Sequence, residues 1–505
     1  MHRTKERVQR STPVRIRCAP NRADGTDSLI RRHARDGPSP ATRSRSAAML
    51  VILLAAALAG CRAYDPSVFD ARLRSAVFDR YWGALDRDYP FFEQAGVDWD
   101  EVRLDCRRPV IQAATRSEFY HRLAGMFARL NDAHVNLRLT LEHYNDQDQG
   151  CSAVDLELAR IEGRYYVVGW PEEARPEAPA ALRAGGFVYP ELLAIDGAPC
   201  TIQLAGKLLA GPAGSRVRLR LRWPNGITTV YSLQRPAASP PSTAPARDRR
   251  DRLRMSAKPV PTFDGKGWLT VQRDRDVGYL RIRTLNPDKV KNLGRDEMVA
   301  QFDDAVDGLM DTIGLVIDLQ NNTGGRAELT TAIAGRFFDS RTLFGRFHGK
   351  FLGLFPATQD STIKPREPIY TGRIAVLING YTGSAAEHLA WVFQRTGRGI
   401  LIGETTYGAE AGVIAVRAPD GTILKFGKYR ITDRDGQGFQ GRGVVPDVNI
   451  PLTLESTLQG GFERANEDVS RRRLQRAIEW LSGEKRDHAI EPFRWKGSFS
   501  TRLPG

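Results

Sequence analysis

Beyond about residue 265 the sequence alternates short apolar runs with amphipathic stretches. The apolar runs are VGYLRI, GLVIDL, IAVLIN and ILIGE. Between the first two runs, Met298, Phe302, Ala305 and Leu309 recur at three- and four-residue spacing, which predicts a helix. Strands that alternate with helices favour an α/β fold with a largely parallel sheet, whose catalytic loops lie at the carboxyl ends of the strands. We therefore expect the chemistry of this chain to follow its apolar runs.

The main candidate lies in the stretch IAVLINGYTGSAAE, residues 374–387. Ser384 follows a Gly-containing turn and stands at the start of the next predicted helix. Backbone N–H groups and the positive end of a helix dipole lie close to such a position, which suits a nucleophile. Ser384 and Glu387 also form S-x-x-E, the capping-box pattern that begins many ordinary helices. The elbow alone is therefore compatible with catalysis or with helix capping.

Residues 1–60 have the features of a leader segment. Residues 1–46 are Arg-rich and polar, and residues 47–58 (AAMLVILLAAAL) form an apolar stretch too short to span a bilayer as a stable helix. Leu58-Ala59-Gly60-Cys61 follows at once. This order is typical of a bacterial lipoprotein signal, cleaved before Cys61 and acylated on its sulfur. We predict a lipid-anchored protein that faces the periplasm, with a buried helix or a simple anchor as the alternative.

Charge argues against a nucleic-acid partner. The leader holds 12 Lys+Arg and 4 Asp+Glu, so +8 of the net +15 lies there and +7 remains for the rest of the chain. The remaining basic residues form no stripe interleaved with aromatic residues. The sequence contains neither C-x-x-C nor H-E-x-x-H, so we expect no zinc site and no cofactor.

Export implies an oxidising compartment, in which cysteines can pair. After Cys61 the chain has Cys106, Cys151 and Cys200. One disulfide with one thiol left over is allowed. The pair Cys106–Cys151 is preferred, although sequence alone leaves the connectivity open.

Composition and periodicity divide the chain into segments. A helical pattern runs along one segment through Val77, Tyr81, Leu85, Phe119, Leu123, Phe127 and Leu130. A region of short strands and turns follows, with one helix at about 202–209, and then a Pro/Ser/Ala-rich stretch that is unable to build a core. The predicted organisation is a leader (1–60), a helical bundle (61–145), a β-rich domain (152–236), a linker (237–264), an α/β core (265–455), and a C-terminal helix and tail (456–505), in which Leu474–Leu481 forms a short amphipathic helix.

Four motifs occur in series in the α/β core. QNNTGG (320–325) follows the strand GLVIDL, and the Ser384 elbow, GETTYG (403–408) and GVVPD (443–447) come after it. In this order they resemble the C-terminal-processing (tail-specific) serine peptidase family. DWD (98–100) and LNDAHV (130–135) resemble its tricorn-core-like branch, which also includes the interphotoreceptor retinoid-binding modules. The resemblance implies a ClpP/crotonase-like α/β core and a PDZ-like domain at 152–236.

The resemblance also implies roles for particular residues. Ser384 takes the place of the nucleophile, and the oxyanion donors are backbone N–H groups of Gly324 or Gly325 and of Ala385. Such donors stabilise the negative charge that develops on a substrate carbonyl. Ala409 stands where tail-specific peptidases have a lysine, so a Ser-Lys dyad is unsupported. Lys425 and Lys428 lie on the next predicted strand, away from that motif position.

The tricorn-like branch uses a histidine as general base, which corresponds to His134. Imidazole can accept the proton of Ser384 near neutral pH. Gln440 occupies the position of a branch glutamate; an amide can orient the ring but is unable to balance its positive charge. Ala133 replaces a serine of tricorn. His388 shares a helical face with Ser384, but that spacing rarely brings an imidazole to the hydroxyl.

The resemblance therefore implies a serine endopeptidase that acts on extended or unfolded polypeptides in the cell envelope. The alternative is a catalytically impaired binding module of the same fold for a peptide or hydrophobic ligand, which Ala409, Gln440 and Ala133 favour. An esterase with the same oxyanion geometry is a third hypothesis. The oligomeric state stays open.

Overall fold

The computed structural model describes residues 69–139, 151–171, 187–199, 202–237, 257–259, 267–351 and 355–483. The chain divides into two units, Met1–Ala63 and Tyr64–Gly505, and all described residues belong to the second. The predicted leader with Cys61, and Cys200, lie outside the described residues. Within the described part, no helix is both long enough and apolar enough to cross a bilayer.

The described residues form α-helices and β-strands, numbered here along the chain. The helices are α1 (Ala71–Asp88), α2 (Phe92–Ala95), α3 (Trp99–Ile111), α4 (Arg116–Ala128), α5 (Ile202–Leu209), α6 (Arg295–Asp307), α7 (Ala327–Ala334), α8 (Ala385–Arg395), α9 (Leu454–Gly460) and α10 (Phe462–Ser482). The strands are β1 (Asn136–Arg138), β2 (Cys151–Ala153), β3 (Leu156–Ile161), β4 (Arg164–Gly169), β5 (Glu191–Ile195), β6 (Ala198–Pro199), β7 (Ala210–Pro212), β8 (Arg216–Arg222), β9 (Thr228–Gln234), β10 (Ala257–Pro259), β11 (Leu269–Asp274), β12 (Val277–Ile282), β13 (Gly314–Asp318), β14 (Thr342–Phe351), β15 (Phe355–Ile363), β16 (Arg373–Ile378), β17 (Ile400–Gly403), β18 (Gly412–Arg417), β19 (Ile423–Thr432) and β20 (Val448–Asn449).

The first four helices confirm the predicted helical periodicity. Side chains of Asp70, Asp98 and Thr115 accept hydrogen bonds from the first turns of α1, α3 and α4, which explains where these helices begin. Tyr81 of α1 meets Phe127 of α4 edge to face, with 6.0 Å between the ring centroids. Both rings are fully buried, so the apolar stripes of these helices face each other.

A six-stranded sheet in the order β11-β12-β13-β16-β17-β20 confirms the predicted parallel core. Only the edge pair β11–β12 is antiparallel. Strand β13 is buried on both faces: Leu315 and Ile317 pack in the same cluster as Phe302 of α6 and Leu389 of α8, whereas Val316 packs with residues of α10. Burial on both faces explains why the strand is a continuous apolar run in the sequence.

Helix α10 is longer than its predicted core, Leu474–Leu481. Its buried face continues towards the N-terminus through Val469 and Arg473, and Arg473 is 1% exposed. The buried guanidinium bonds to Ile450 O at 2.8 Å and to Gln320 Oε1 at 2.8 Å. A charged residue on the buried face interrupts the apolar pattern, which explains the short prediction.

A second, antiparallel sheet was not predicted. It joins β1, β19, β14 and β15 in that order, and β18 also pairs with β19. Strand β1, which follows His134, pairs with β19 so that Asn136 stands opposite Lys425. This pairing fastens the end of the helical region to the core, and it depends on residues almost 300 positions apart.

The β-rich region forms a sheet in the order β10-β3-β4-β5-β8-β9, with β6 on β5. The predicted helix at 202–209 is confirmed as α5. Three residues of the predicted linker 237–264 form β10, which pairs in parallel with β3. Arg160 of β3 donates to Gly380 O at 2.7 Å, which attaches this sheet to the turn before Ser384. The PDZ-like description of the region stays a prediction.

The preferred disulfide is wrong. Cys106 on α3 is a half-buried free cysteine, and burial raises the pKa of its thiol. Helix α3 packs against α1 and α4, whereas Cys151 begins β2, which pairs with β7.

Candidate active site

Ser384 stands at a sharp elbow between β16 and α8. The turn before it is fixed by the hydroxyl of Thr382, which donates to Leu319 O at 3.0 Å, and by Gly383 N–H, which donates to Asn322 O at 2.9 Å. Ser384 itself has φ 54° and ψ −124°. This is a strained conformation for a non-glycine residue, which costs on the order of 1–3 kcal/mol and is found mainly at functional sites. The elbow leaves the side chain partly exposed.

The capping hypothesis accounts for Glu387 better than for Ser384. The residues of a capping box are in place, and Glu387 Oε2 accepts the N–H of Ser384 at 2.7 Å. The hydroxyl of Ser384 lies 3.2 Å from Nε2 of His134. The glutamate thus holds the helix start, and the serine hydroxyl is directed at an imidazole.

His134 lies in the turn between α4 and β1. Burial lowers the pKa of this imidazole, and the negative charge of Asp132 opposes the shift. The ring is therefore neutral at pH 7. A neutral imidazole 3.2 Å from a hydroxyl has the distance and the protonation state to accept its proton. The structure thus brings together two predicted site residues that lie 250 positions apart.

Gln440 does not reach the histidine ring, so the expected contact is wrong. Its Oε1 accepts the N–H of Glu410 at 2.8 Å, and its Nε2 donates to Asp132 Oδ2 at 3.1 Å. The amide is directed to Asp132 because its oxygen is already occupied by the backbone. Nδ1 of His134 is buried and has no hydrogen-bond partner within the described residues.

The glycine turn after β13 lies beside the elbow. Gly324 has φ 88°, and a Cβ atom built on it would lie 2.8 Å from both Ser384 Cβ and Ala385 N. Its N–H already donates to Asn322 Oδ1 at 2.9 Å. The N–H groups of Gly325 and Ala385 donate to no other group in the part of the chain that the structure describes. Of the two glycines that the sequence left open, only Gly325 has an N–H available to an oxyanion.

The other basic candidates have structural partners. His388 is buried, its Nε2 lies 2.7 Å from Glu410 O, and burial lowers its pKa to about 4. Lys428 Nζ lies 3.3 Å from Asp88 Oδ1. Ala409 occupies the position of the family lysine and donates its N–H to Glu387 Oε2 at 2.8 Å. These contacts support the prediction that neither His388 nor Lys428 is the base.

Two buried carboxylates near the site were missed or underestimated. Besides the Ser384 N–H, Glu387 accepts the hydroxyl of Thr406 and the N–H of Gly408, both at 2.5 Å. Burial raises the pKa of Glu387 to about 7, and these hydrogen bonds oppose the shift. Glu410 accepts the N–H groups of Ile431 and Gln440 at 3.0 Å each. The signal for Glu387 was its place in S-x-x-E, whereas nothing local in the sequence marks Glu410.

The arrangement contains a hydroxyl on a strained elbow, an adjacent neutral imidazole and two available amides. Within the described residues no group of His, Cys, Asp and Glu side chains could hold a metal ion. On a parallel sheet with helices on both faces, this set of groups defines the class of serine hydrolases.

Comparisons with known proteins specify the class. Residues 276–450 match the model of peptidase family S41, and residues 72–128 match the tricorn protease C1 domain. The carboxyl-terminal-processing protease of Picosynechococcus sp. is 24% identical over 405 residues, which cover 76% of this chain and 86% of the relative. The chloroplastic C-terminal processing peptidase of Tetradesmus obliquus is 24% identical over 400 residues, 76% of this chain and 79% of the relative.

Among solved structures, mature CPAF superposes with a TM-score of 0.54 at 15% identity, covering 82% of this chain and 99% of that one. This likeness concerns the fold alone. Over residues 276–450 the chain matches the S41 family, and along most of its length it is similar to carboxyl-terminal-processing serine peptidases, so it is a serine-type hydrolase with mixed α/β sheets. The resemblance found in the sequence motifs is therefore confirmed. The ClpP/crotonase-like description of the core stays a prediction.

Proposed function

We propose that this protein is a serine endopeptidase that uses Ser384 as its nucleophile and His134, rather than a lysine, as its general base. The observation that carries the proposal is the 3.2 Å separation between Ser384 Oγ and His134 Nε2. Ala409 supports it as well, because the chain has no side-chain amine at the position that the family lysine occupies.

In the proposed acyl transfer, the hydroxyl, the imidazole and the two backbone amides each have one role. Nε2 of His134 takes the proton of Ser384 while Oγ forms a bond to the substrate carbonyl carbon, and the carbonyl π electrons move to its oxygen. The N–H groups of Gly325 and Ala385 bind that oxyanion. His134 then gives its proton to the leaving amine as the peptide bond breaks. Water, deprotonated by the same imidazole, hydrolyses the acyl-enzyme and releases Ser384.

The proposed substrate is an extended or unfolded polypeptide. A scissile carbonyl must enter between the elbow of Ser384 and the turn of Gly325, and an extended segment presents one carbonyl there with little rearrangement. The relatives in Picosynechococcus sp. and Tetradesmus obliquus are named for processing at a carboxyl terminus. We therefore extend the proposal to substrates cleaved near their C-terminus.

A fluorophosphonate probe tests the nucleophile. The full chain is expected to be labelled covalently and to hydrolyse a reduced, alkylated and hence unfolded protein. Both activities should be lost in Ser384→Ala and kept in Ser340→Ala, which changes an exposed serine on the loop before β14. A wild-type chain that is folded but neither labelled nor active would contradict the proposal.

The binding module remains the alternative, and Gln440 and Ala133 still favour it. If the fold serves only to bind, a retained peptide or hydrophobic ligand should be held equally by the wild type and by Ser384→Ala, with no labelling of either. An esterase would be labelled but would turn over esters and leave unfolded protein intact. The imidazole of His134 3.2 Å from the Ser384 hydroxyl favours the hydrolase, because binding alone does not require a base beside a hydroxyl.

We also propose that the protein acts in the cell envelope, anchored by acylated Cys61. The proposal is supported by the order of basic, apolar and small residues before Cys61 in the sequence. Metabolic labelling with palmitate is expected for the wild type and should be lost in Cys61→Ser. Labelling that persists in this variant would contradict the anchor.

A further inference from the structure

The proposed reaction places a positive charge on His134, and the structure shows no direct partner for it on the ring. Nδ1 of His134 is buried without a hydrogen-bond partner within the described residues. Gln440, the residue expected to orient the ring, bonds elsewhere and carries no charge. An imidazolium in such a buried place is costly unless a carboxylate lies near it.

Asp132 is the carboxylate that best meets this requirement. It is 4% exposed and stands two residues before His134, in the same turn. Its Oδ1 accepts the backbone N–H of His134 at 2.7 Å. Its Oδ2 accepts the hydroxyl of Tyr89 at 2.7 Å and Nε2 of Gln440 at 3.1 Å. Three donors from three parts of the chain therefore hold one buried carboxylate.

These donors fix the carboxylate of Asp132 in place. Hydrogen bonds to a buried carboxylate compensate for the water contacts that it loses. Gln440 has only its Nε2 available for Asp132, because its Oε1 is occupied by the N–H of Glu410. The amide at position 440 therefore acts on the carboxylate rather than on the imidazole.

We propose that Asp132 is the positioning residue of His134: it fixes the histidine turn through the backbone and balances the charge that the imidazole gains from Ser384. Asp132 and Gln440 then form one unit, in which the aspartate supplies the charge and the glutamine holds it in place. The inference rests on the proposed function, because it assigns a role in the step that His134 performs.

Titratable groups approach His134 from several elements. Asp132 belongs to its own turn, Tyr89 follows α1, and His388 belongs to α8; the charge of His134 also affects the pKa of His388. Two buried carboxylates, Glu387 and Glu410, bond to the elbow and to Gln440. Of these groups, Asp132 is the carboxylate whose charge raises the pKa of His134 against the effect of burial.

The first test needs no turnover. In the full chain carrying Ser384→Ala, the His134 imidazole is titrated by NMR with labelled histidine, and its signal is assigned by its loss in His134→Gln. Adding Asp132→Asn is expected to lower the pKa of His134, because burial then acts unopposed. Asp88→Asn changes another buried carboxylate, which is paired with Arg87 and Lys428, and should leave the pKa of His134 unchanged. An unchanged pKa in a folded Asp132→Asn chain would overturn the proposal.

The second test uses turnover of unfolded protein. In Asp132→Asn, kcat should fall roughly 100-fold, within the range that general acid–base catalysis contributes, with little change in KM. The acid limb of kcat/KM should move to lower pH, which a purely structural defect would not produce. The exchange variant Asp132→Asn/Gln440→Glu transfers the carboxylate from position 132 to position 440. The amide at 132 then donates to the carboxylate at 440, so the hydrogen bond between the two positions is kept. This variant should recover kcat to within about tenfold of the wild type, since the pair at 132 and 440 again carries one negative charge beside the His134 turn.

The exchange variant keeps the proposal testable even when Asp132→Asn alone does not fold. If it folds but turns over no faster than His134→Gln, the proposal is overturned. If the wild type shows no turnover that depends on Ser384, the proposed function fails, and the NMR titration still decides whether Asp132 sets the charge state of His134.

Discussion

The two halves of the site are held in different ways. The Ser384 half is fixed by hydrogen bonds to backbone carbonyls at the ends of neighbouring parallel strands: Gly383 N–H donates to Asn322 O, and the Thr382 hydroxyl donates to Leu319 O. The His134 half lies outside that sheet. It is held by β1 pairing with β19 and by a side-chain network through Asp132.

Because the two halves are held differently, they should respond differently to substitution. The serine elbow belongs to a compact core and should keep its geometry when the histidine half is changed. The histidine half depends on residues up to 308 positions apart and should be the more easily disturbed. Substitutions in the two halves should therefore differ in their effects on activity and on stability.

The largest expected contrast is between two histidines. His134→Ala should lower kcat/KM by about 100- to 10,000-fold, the range general acid–base catalysis contributes, with a nearly unchanged melting temperature. His388→Phe keeps a ring among the buried aromatics but leaves Glu410 O without its donor, which should cost about 1–3 kcal/mol of stability and leave most of the activity. The two variants are compared by their kcat/KM on unfolded protein and by their melting temperatures. Loss of labelling in His388→Phe but not in His134→Ala would reverse the assignment.

A smaller effect is expected in the glycine turn. In Gly324→Ala the new Cβ would lie 2.6 Å from Gly383 O, and the residue would be held at φ 88°. The turn must then move away from the elbow, and we expect roughly a 100-fold loss of kcat, similar to the loss of one oxyanion donor. Gly436→Ala, with φ 76° and open space around it, is the matched control and should keep its activity. Equal activity of both variants would show that the turn does not contribute to the site.

The smallest effect concerns the pH dependence of stability. Because burial raises the pKa of Glu387 to about 7, above its ordinary 4.5, the folded chain binds more protons than the unfolded chain between these values. Its contribution to the free energy of unfolding is therefore largest below about pH 4.5 and falls as the pH rises to about 7, by roughly 3 kcal/mol. Glu387→Gln removes this dependence. The difference in unfolding free energy between wild type and variant, measured from pH 5 to 7.5, should shrink with pH; a constant difference would contradict the raised pKa.

What the sequence could predict follows from the same comparison. The strands of the parallel sheet, the elbow at Ser384 and the turn at Gly324 and Gly325 are local patterns, in which neighbours along the chain determine the geometry. His134 was predicted only through the LNDAHV motif and its resemblance. The partner of Gln440 was predicted wrongly, because a contact between Gln440 and Asp132 depends on how distant segments fold together.

The antiparallel sheet was missed for a similar reason. In β15 residues 356–360 are all exposed, and β14 shows no alternation of buried and exposed residues, so the patterns of these two strands are weak. Pairing over a long separation makes them strands, and local propensity contributes little. The buried Arg473 hid the start of α10 because its charge contradicts the apolar pattern of its helix face.

A crystal structure of the chain after reaction with a fluorophosphonate tests the joint role of the two halves most directly. The account predicts phosphorus bonded to Ser384 Oγ, with the phosphonyl oxygen about 2.7–3.1 Å from the N–H groups of Gly325 and Ala385 and with His134 Nε2 still beside Oγ. An adduct on another residue, or an adduct on Ser384 with His134 turned away and the oxygen bound elsewhere, would contradict it.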